Sequence, residues 1–162
     1  MFYIQLIGIL AFCILVLSFY KKDTVMILTY QITSNFAYTV HYFLLGGLSG
    51  AFCSLIGIFR NITLIKSNNN KIIVPIFIIL YFFVTIIFYE GIYSLFPMIA
   101  NSIYLITLTH KKKKTLLIGA IISSGLWVLY SVFVSSYVSI LTESILIISN
   151  TIQLIGINKK ER

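Results

Sequence analysis

Glu143 is the residue whose type and place point most directly to chemistry. It interrupts an apolar run from Ser136 to Ile157, about seven residues in, which is roughly 10 Å along a helix. A carboxylate at that depth of a bilayer costs about 2.5–3.5 kcal/mol, so it should face other helices or a watery cavity and have a partner. The chemistry that follows is proton coupling, or a contact to a hydroxyl or amine of a solute; the bland alternative is a hydrogen-bonded Glu that pins one helix to another. Asn150 comes two helical turns after Glu143, on the same face, and Asn61 stands in the same relation to Ser54. The columns Ser54/Asn61 and Glu143/Asn150 are expected to face each other and form a polar pocket, although amides at lipid level also serve as interhelical glue at roughly 0.6 kcal/mol each. His41 is placed to pair with Glu143 as a titratable couple, against the simpler role of a wetted interfacial histidine. Tyr38, Trp127 and Tyr130 would line the pocket by stacking on a ring-shaped solute or capping the cavity, while most of the other aromatics serve lipid contact. Pro97 would free one backbone carbonyl and act as a hinge. Arg60, near the end of its apolar run, either snorkels to headgroups or makes an inner gate contact.

These residues are ordered by an internal repeat. At an offset of 89 residues Gly8 falls on Pro97, Lys22 on Lys111, Ser34 on Ser123, Tyr38 on Trp127, His41 on Tyr130 and Asn61 on Asn150. A repeated apolar unit of this length indicates a membrane protein of two homologous halves. Composition agrees independently. The chain of 162 residues is 59% hydrophobic and 10% charged, with mean hydropathy +1.02, more apolar side chain than a soluble domain of this size can hide. The net charge of +8 would raise the question of nucleic acid in a soluble protein. Here the basic residues punctuate apolar runs, so they report topology, and no nucleic-acid partner is expected.

A span needs about 20 apolar residues. Seven segments qualify: Phe2 to Tyr20, Thr24 to Leu45, Leu48 to Ile65, Ile72 to Phe88, Gly91 to Thr109, Thr115 to Val134 and Ser136 to Ile157. Lys21 to Asp23, Lys66 to Lys71 and His110 to Lys114 are hard breaks; Gly46-Gly47, Glu90-Gly91 and Ser135-Ser136 are soft turns. With the N-terminus outside, every Lys and Arg falls in or near the cytoplasm, including the C-terminal Lys159 to Arg162, as the positive-inside rule requires. The first run has no basic residue before it and no A-x-A site after it, so it reads as a retained span. Cys13 and Cys53 sit inside spans as small packing residues. Lys111 to Lys114 anchor topology and would also attract anionic lipid. The expected architecture is therefore an all-α membrane protein with seven transmembrane helices, N-out and C-in. A first three-helix repeat covers residues 1–66, a linker helix 67–90 and a second repeat 91–162. Because three helices is an odd number, the linker helix gives both repeats the same orientation, making them parallel repeats.

The 3+1+3 plan resembles the SWEET and PQ-loop transporter superfamily. Trp127-Val128-Leu129-Tyr130 matches that superfamily's Trp-x-x-Tyr pair, Tyr38-Thr39-Val40-His41 stands as its degraded partner, and Pro97 is similar to the proline on the first helix of a repeat. The resemblance implies transport through a site between the repeats. Glu143 and Ser54, where the sugar transporters carry asparagine, argue against sugar as the solute. Over the whole chain the resemblance is closer to the YgjV family of bacterial inner-membrane proteins. His41 to Gly46, Ser49 to Ala51, Arg60-Asn61 and Leu126 to Tyr130 carry that likeness. It implies a location in the bacterial inner membrane and supplies no chemistry.

No carboxylate pair, nucleophile with a base, metal cluster or phosphate-cradling glycine loop is present in the pattern, so no enzyme, cofactor or metal is expected. The expected function is a small-solute transporter of the inner membrane working by alternating access, with the lipid bilayer and a small polar solute as partners. The competing class is a receptor, assembly partner or regulatory subunit on the same fold, and a homo-oligomer is compatible with either.

Overall fold

The computed structural model describes residues 2–19, 21, 23–67, 70–110 and 112–160. Lys22 and Lys111, a pair in the repeat, lie outside the described residues, as do Met1, Tyr20, Asn68, Asn69, Glu161 and Arg162. The described chain forms seven α-helices: α1 (Phe2–Phe19), α2 (Thr24–Leu44), α3 (Leu48–Lys66), α4 (Asn70–Ile87), α5 (Leu95–Leu108), α6 (Lys113–Phe133) and α7 (Tyr137–Lys160). Their limits fall within a few residues of the seven apolar segments. The largest departure is before α5, where Ile92–Ser94 form a tighter 3-10 turn. By length and hydropathy alone, Leu48–Lys66, Lys113–Phe133 and Tyr137–Lys159 are sufficient to cross a membrane; Phe2–Ser18, Lys71–Ile87 and Ile92–Leu108 are shorter apolar helices.

The helix ends follow from local chemistry. Asp23 caps α2 by accepting from the Met26 amide at 3.2 Å. After α2 the chain turns through Gly46 at φ +81°, with Gly46 N–H donating to Phe43 and Gly47 N–H donating to Tyr42. This is a left-handed helix stop, which glycine enters without steric cost. The same hydrogen bonds recur 89 residues on, from Ser135 N–H to Val132 and from Ser136 N–H to Ser131, with Ser135 at φ +56°. There the stop is built from a residue with a Cβ. Pro75 lies inside α4, whereas Pro97 falls in the first turn of α5, where a missing N–H breaks no intrahelical bond.

Packing is sequential within two groups. α1 lies on α2 and α2 on α3; α5 lies on α6 and α6 on α7. α4 bridges α3 to α5, while α1 touches α7 and α3 touches α5. Small residues set the closest approach. A Cβ at Gly50 would sit 2.7 Å from Tyr130 Oη, so glycine is what admits that ring against α3. The sidedness is the reverse of a soluble protein. Ser34, His41, Ser54, Arg60, Asn61 and Thr142 are buried, whereas Phe36, Phe59, Phe82, Phe83 and Ile148 are exposed. An apolar exterior around a polar interior suits lipid as solvent.

Candidate functional site

A cavity of about 90 Å³ lies among all the helices except α4. Leu15 of α1, Ser34, Asn35, Tyr38 and Tyr42 of α2, and Ser54 and Gly57 of α3 form one side. Asn101 of α5, Trp127 of α6 and Glu143 of α7 form the other. It holds several waters or one small solute, and is well below the roughly 300–1,000 Å³ of drug-sized pockets. Positions i, i+3 and i+7 put Asn35, Tyr38 and Tyr42 on one face of α2. Ser34 is spent structurally, donating to the Ala11 carbonyl at 2.8 Å and tying α2 to α1. Glu143 has the Ser124 hydroxyl of α6 within hydrogen-bonding reach. Tyr38 is 8% exposed, yet its hydroxyl has no hydrogen-bond partner among the described residues. Thr142, the residue before Glu143, directs its hydroxyl instead to the Val138 carbonyl at 2.8 Å.

Above the cavity an aromatic stack leads into a hydrogen-bonded seal. Tyr42 stacks on Trp127 with centroids 5.4 Å apart and meets Tyr130 edge-on at 5.6 Å. The Tyr42 and Ser131 hydroxyls, 89 residues apart, lie 3.2 Å from each other. Tyr130 Oη accepts from Gly50 N–H at 2.9 Å and lies 3.2 Å from Ser49 Oγ, whose one proton goes to Glu90. His41 bonds the Ile4 carbonyl at 2.8 Å and Ser136 Oγ at 2.7 Å. Its ring occupies space left by Gly8, where a Cβ would lie 2.9 Å from Cε1. Gln5 accepts from Val138 N–H at 3.3 Å and donates to the Ser135 carbonyl at 3.2 Å. Glu90 closes the start of α3, accepting from Leu48 N–H at 3.0 Å, Ser49 N–H at 3.3 Å and Ser49 Oγ at 3.2 Å. A carboxylate there also meets the positive end of the helix dipole. Among the described residues, six hydrogen bonds of this seal join α1–α3 to α6, α7 and the turn between them.

Of the residues expected at the pocket, the cavity brings together Ser54, Glu143, Tyr38 and Trp127. Tyr130 and His41 sit in the seal. Both His41 nitrogens are engaged by groups other than Glu143. Asn61 is fully buried below the cavity, accepting from Arg60 Nε at 3.1 Å and donating to Gln31 Oε1 at 3.4 Å. Asn150 is half-buried on α7 and does not line the cavity. Arg60 does not snorkel. It is 4% exposed, bonds Tyr81 Oη at 3.4 Å and lies over the Tyr104 ring at 5.5 Å. Sequence reasoning passed over Asn35, Gly57 and Asn101. For Asn35 the signal was its place one turn before Tyr38 on a lipid-level helix.

The Imp-YgjV family, described as bacterial inner membrane protein, matches residues 2–161. No curated protein and no solved structure matches the chain.

Proposed function

The chain belongs to the Imp-YgjV family of bacterial inner membrane proteins, and from that premise we propose that it moves a small polar solute across the inner membrane by alternating access. The observation that carries this reading is the cavity itself, which mixes apolar surface with Ser34, Asn35, Ser54, Asn101 and Glu143 and is walled by both helix groups with nothing from α4. The Tyr38 hydroxyl stands near the Glu143 carboxyl with no hydrogen-bond partner meeting full geometry among the described residues, which leaves it available to a solute. In this reading all seven helices span, N-out and C-in, and residues 1–66 and 91–162 are parallel repeats joined by the linker helix of 67–90. The recurrence of the turn hydrogen bonds at 89 residues supports it. So do the contacts among these six helices, leaving α4 aside, which are preserved when α1, α2 and α3 are exchanged for α5, α6 and α7.

The conformation is then sealed at the outer end by Tyr130, His41, Gln5 and Glu90, with solute held below by Glu143, Tyr38, Ser54 and Trp127. Glu143 carries the coupling proton, and His41 serves the seal. Asn61 and Asn150 lie on the inward path, and Pro97 marks the junction at which α5 starts to move. The test is uptake into proteoliposomes of radiolabelled sugars, amino acids, nucleosides and vitamins, with and without a pH gradient. Gradient-dependent uptake lost in Glu143→Gln is the expected result. Uptake that keeps its full gradient dependence in Glu143→Gln removes the mechanism. No uptake of any solute removes the transport reading in favour of a receptor or assembly role.

A further inference from the structure

Arg60 is a cation without an acid. Six residues from the last residue of α3, it stands about 9 Å inside the helix end, and it is 4% exposed. Its contacts are Asn61 Oδ1, Tyr81 Oη and the Tyr104 ring, all neutral, and no ion pair engages it among the described residues. A guanidinium has five N–H donors, and a buried charge lacking a counter-charge is costly in a bundle surrounded by lipid. Side chains on a helix point back toward its N-terminus, which here is toward Gly57, one turn up and on the cavity wall. At Gly57 the geometry becomes specific. The point where a Cβ would sit is 4.0 Å from Arg60 Nη2 and 3.0 Å from Asn35 Nδ2. Two nitrogen donors therefore sit beside Gly57, within contact of the place its missing side chain would take. The Asn35 side chain has no hydrogen-bond partner among the described residues.

We infer that Arg60 and Asn35 form an oxyanion site at the floor of the Glu143 cavity, reached over Gly57, and that the transported solute presents a carboxylate to it. The inference rests on the transport reading above and gives its solute a chemical class. A planar fork beside an amide donor fits two carboxylate oxygens better than a spherical halide. The site faces the interior of the bundle, and a cavity of about 90 Å³ has no room for a phosphodiester with its acyl chains. The solute is small, with Glu143 available at the opposite side to hold a proton or meet a donor group.

The experiment is thermal unfolding of the purified full-length protein in neutral detergent at fixed ionic strength. The probes are sodium acetate, its uncharged isostere acetamide, sodium chloride and phosphatidylglycerol, together with neutral polar solutes. Acetate should raise Tm saturably, with no matching effect of acetamide or chloride. Gly57→Ala keeps every charge and puts a methyl in that place, so it should abolish the response while the protein still folds. Arg60→Lys keeps the charge and loses the fork, and should weaken the acetate midpoint by about tenfold or more, the loss of one charge-assisted hydrogen bond. Equal effects of acetate and acetamide, or an unchanged acetate response in Gly57→Ala, overturn the inference. So does replacement of acetate by chloride, or an Arg60-dependent response to phosphatidylglycerol alone. If acetate does nothing while a neutral solute stabilises the protein through Glu143, this inference fails and the transport reading stands. If nothing stabilises it, both fail.

Discussion

Tyr38 and Tyr130 give a sharp test, because removing one oxygen from each should move stability in opposite directions. Tyr38 is 8% exposed and its hydroxyl has no partner among the described residues. An unsatisfied buried hydroxyl costs about 1–3 kcal/mol, so Tyr38→Phe should stabilise the solute-free protein by about that amount. Tyr130 is fully buried, and its oxygen accepts from Gly50 N–H and lies within hydrogen-bond distance of Ser49 Oγ. Tyr130→Phe leaves the Gly50 amide orphaned at the start of α3, while Ser49 Oγ keeps Glu90 at 3.2 Å. The expected cost is about 1–3 kcal/mol. For a chain of this length each kcal/mol moves Tm by about 2–4 °C, so the two variants should separate clearly on either side of wild type. Trp127, the single tryptophan, stacks on Tyr42 between the two sites and supplies the fluorescence signal for reversible denaturation in detergent. Solute-dependent stabilisation should disappear in Tyr38→Phe and persist in Tyr130→Phe. Destabilisation of Tyr38→Phe by more than about 1 kcal/mol would show that its hydroxyl is already committed to a structural bond, and would refute the assignment of that oxygen to a solute.

Three further outcomes follow from local geometry. Ser135→Gly should raise stability by about 1 kcal/mol because φ +56° strains a residue with a Cβ, while Gly46→Ser at the matching stop should lower it by a similar amount, both read from denaturation midpoints. Glu90→Ala should cost about 1–2 kcal/mol by uncapping Leu48 and Ser49, and Glu90→Gln should cost less because an acceptor remains; equal losses would assign the effect to charge alone. Thr85 is 1% exposed on α4, and beyond the neighbouring Cys53 thiol its Oγ1 has no partner among the described residues, so Thr85→Val should gain about 1 kcal/mol, whereas a loss on thermal unfolding would reveal a bond from that hydroxyl.

The helices were legible because each apolar run ends at a lysine cluster or a glycine or serine turn, and those residues act locally. The cavity was legible only where a polar residue stands alone in an apolar run, as Glu143 and Ser54 do. The spacing that placed Asn61 and Asn150 beside them keeps the angular position but descends two turns, about 10 Å, which is too deep for so small a cavity. Asn61 instead meets Gln31 and Arg60, partners that depend on how α2 and α3 pack. His41 was read from its end-of-helix position as interfacial, or as a mate for Glu143. Its true neighbours, Gly8 on α1 and Ser136 just before α7, are 33 and 95 residues away, and nothing local to His41 encodes them. Arg60 misled for a related reason, since snorkelling is what an arginine near a helix end does when no aromatic pair encloses it. Tyr81 and Tyr104 enclose it here.

The seal at the start of α3 and α7 has a consequence for time rather than for shape. Among the described residues, six hydrogen bonds cross between the helix groups there, through Gln5, His41, Tyr42 and Tyr130. At about 0.5–1.5 kcal/mol each, separating that end costs about 3–9 kcal/mol before any apolar contact is counted. The two mouths of the bundle should therefore breathe on different clocks, with the Gly50 and Val138 amides among the slowest protons in the protein to exchange with deuterium.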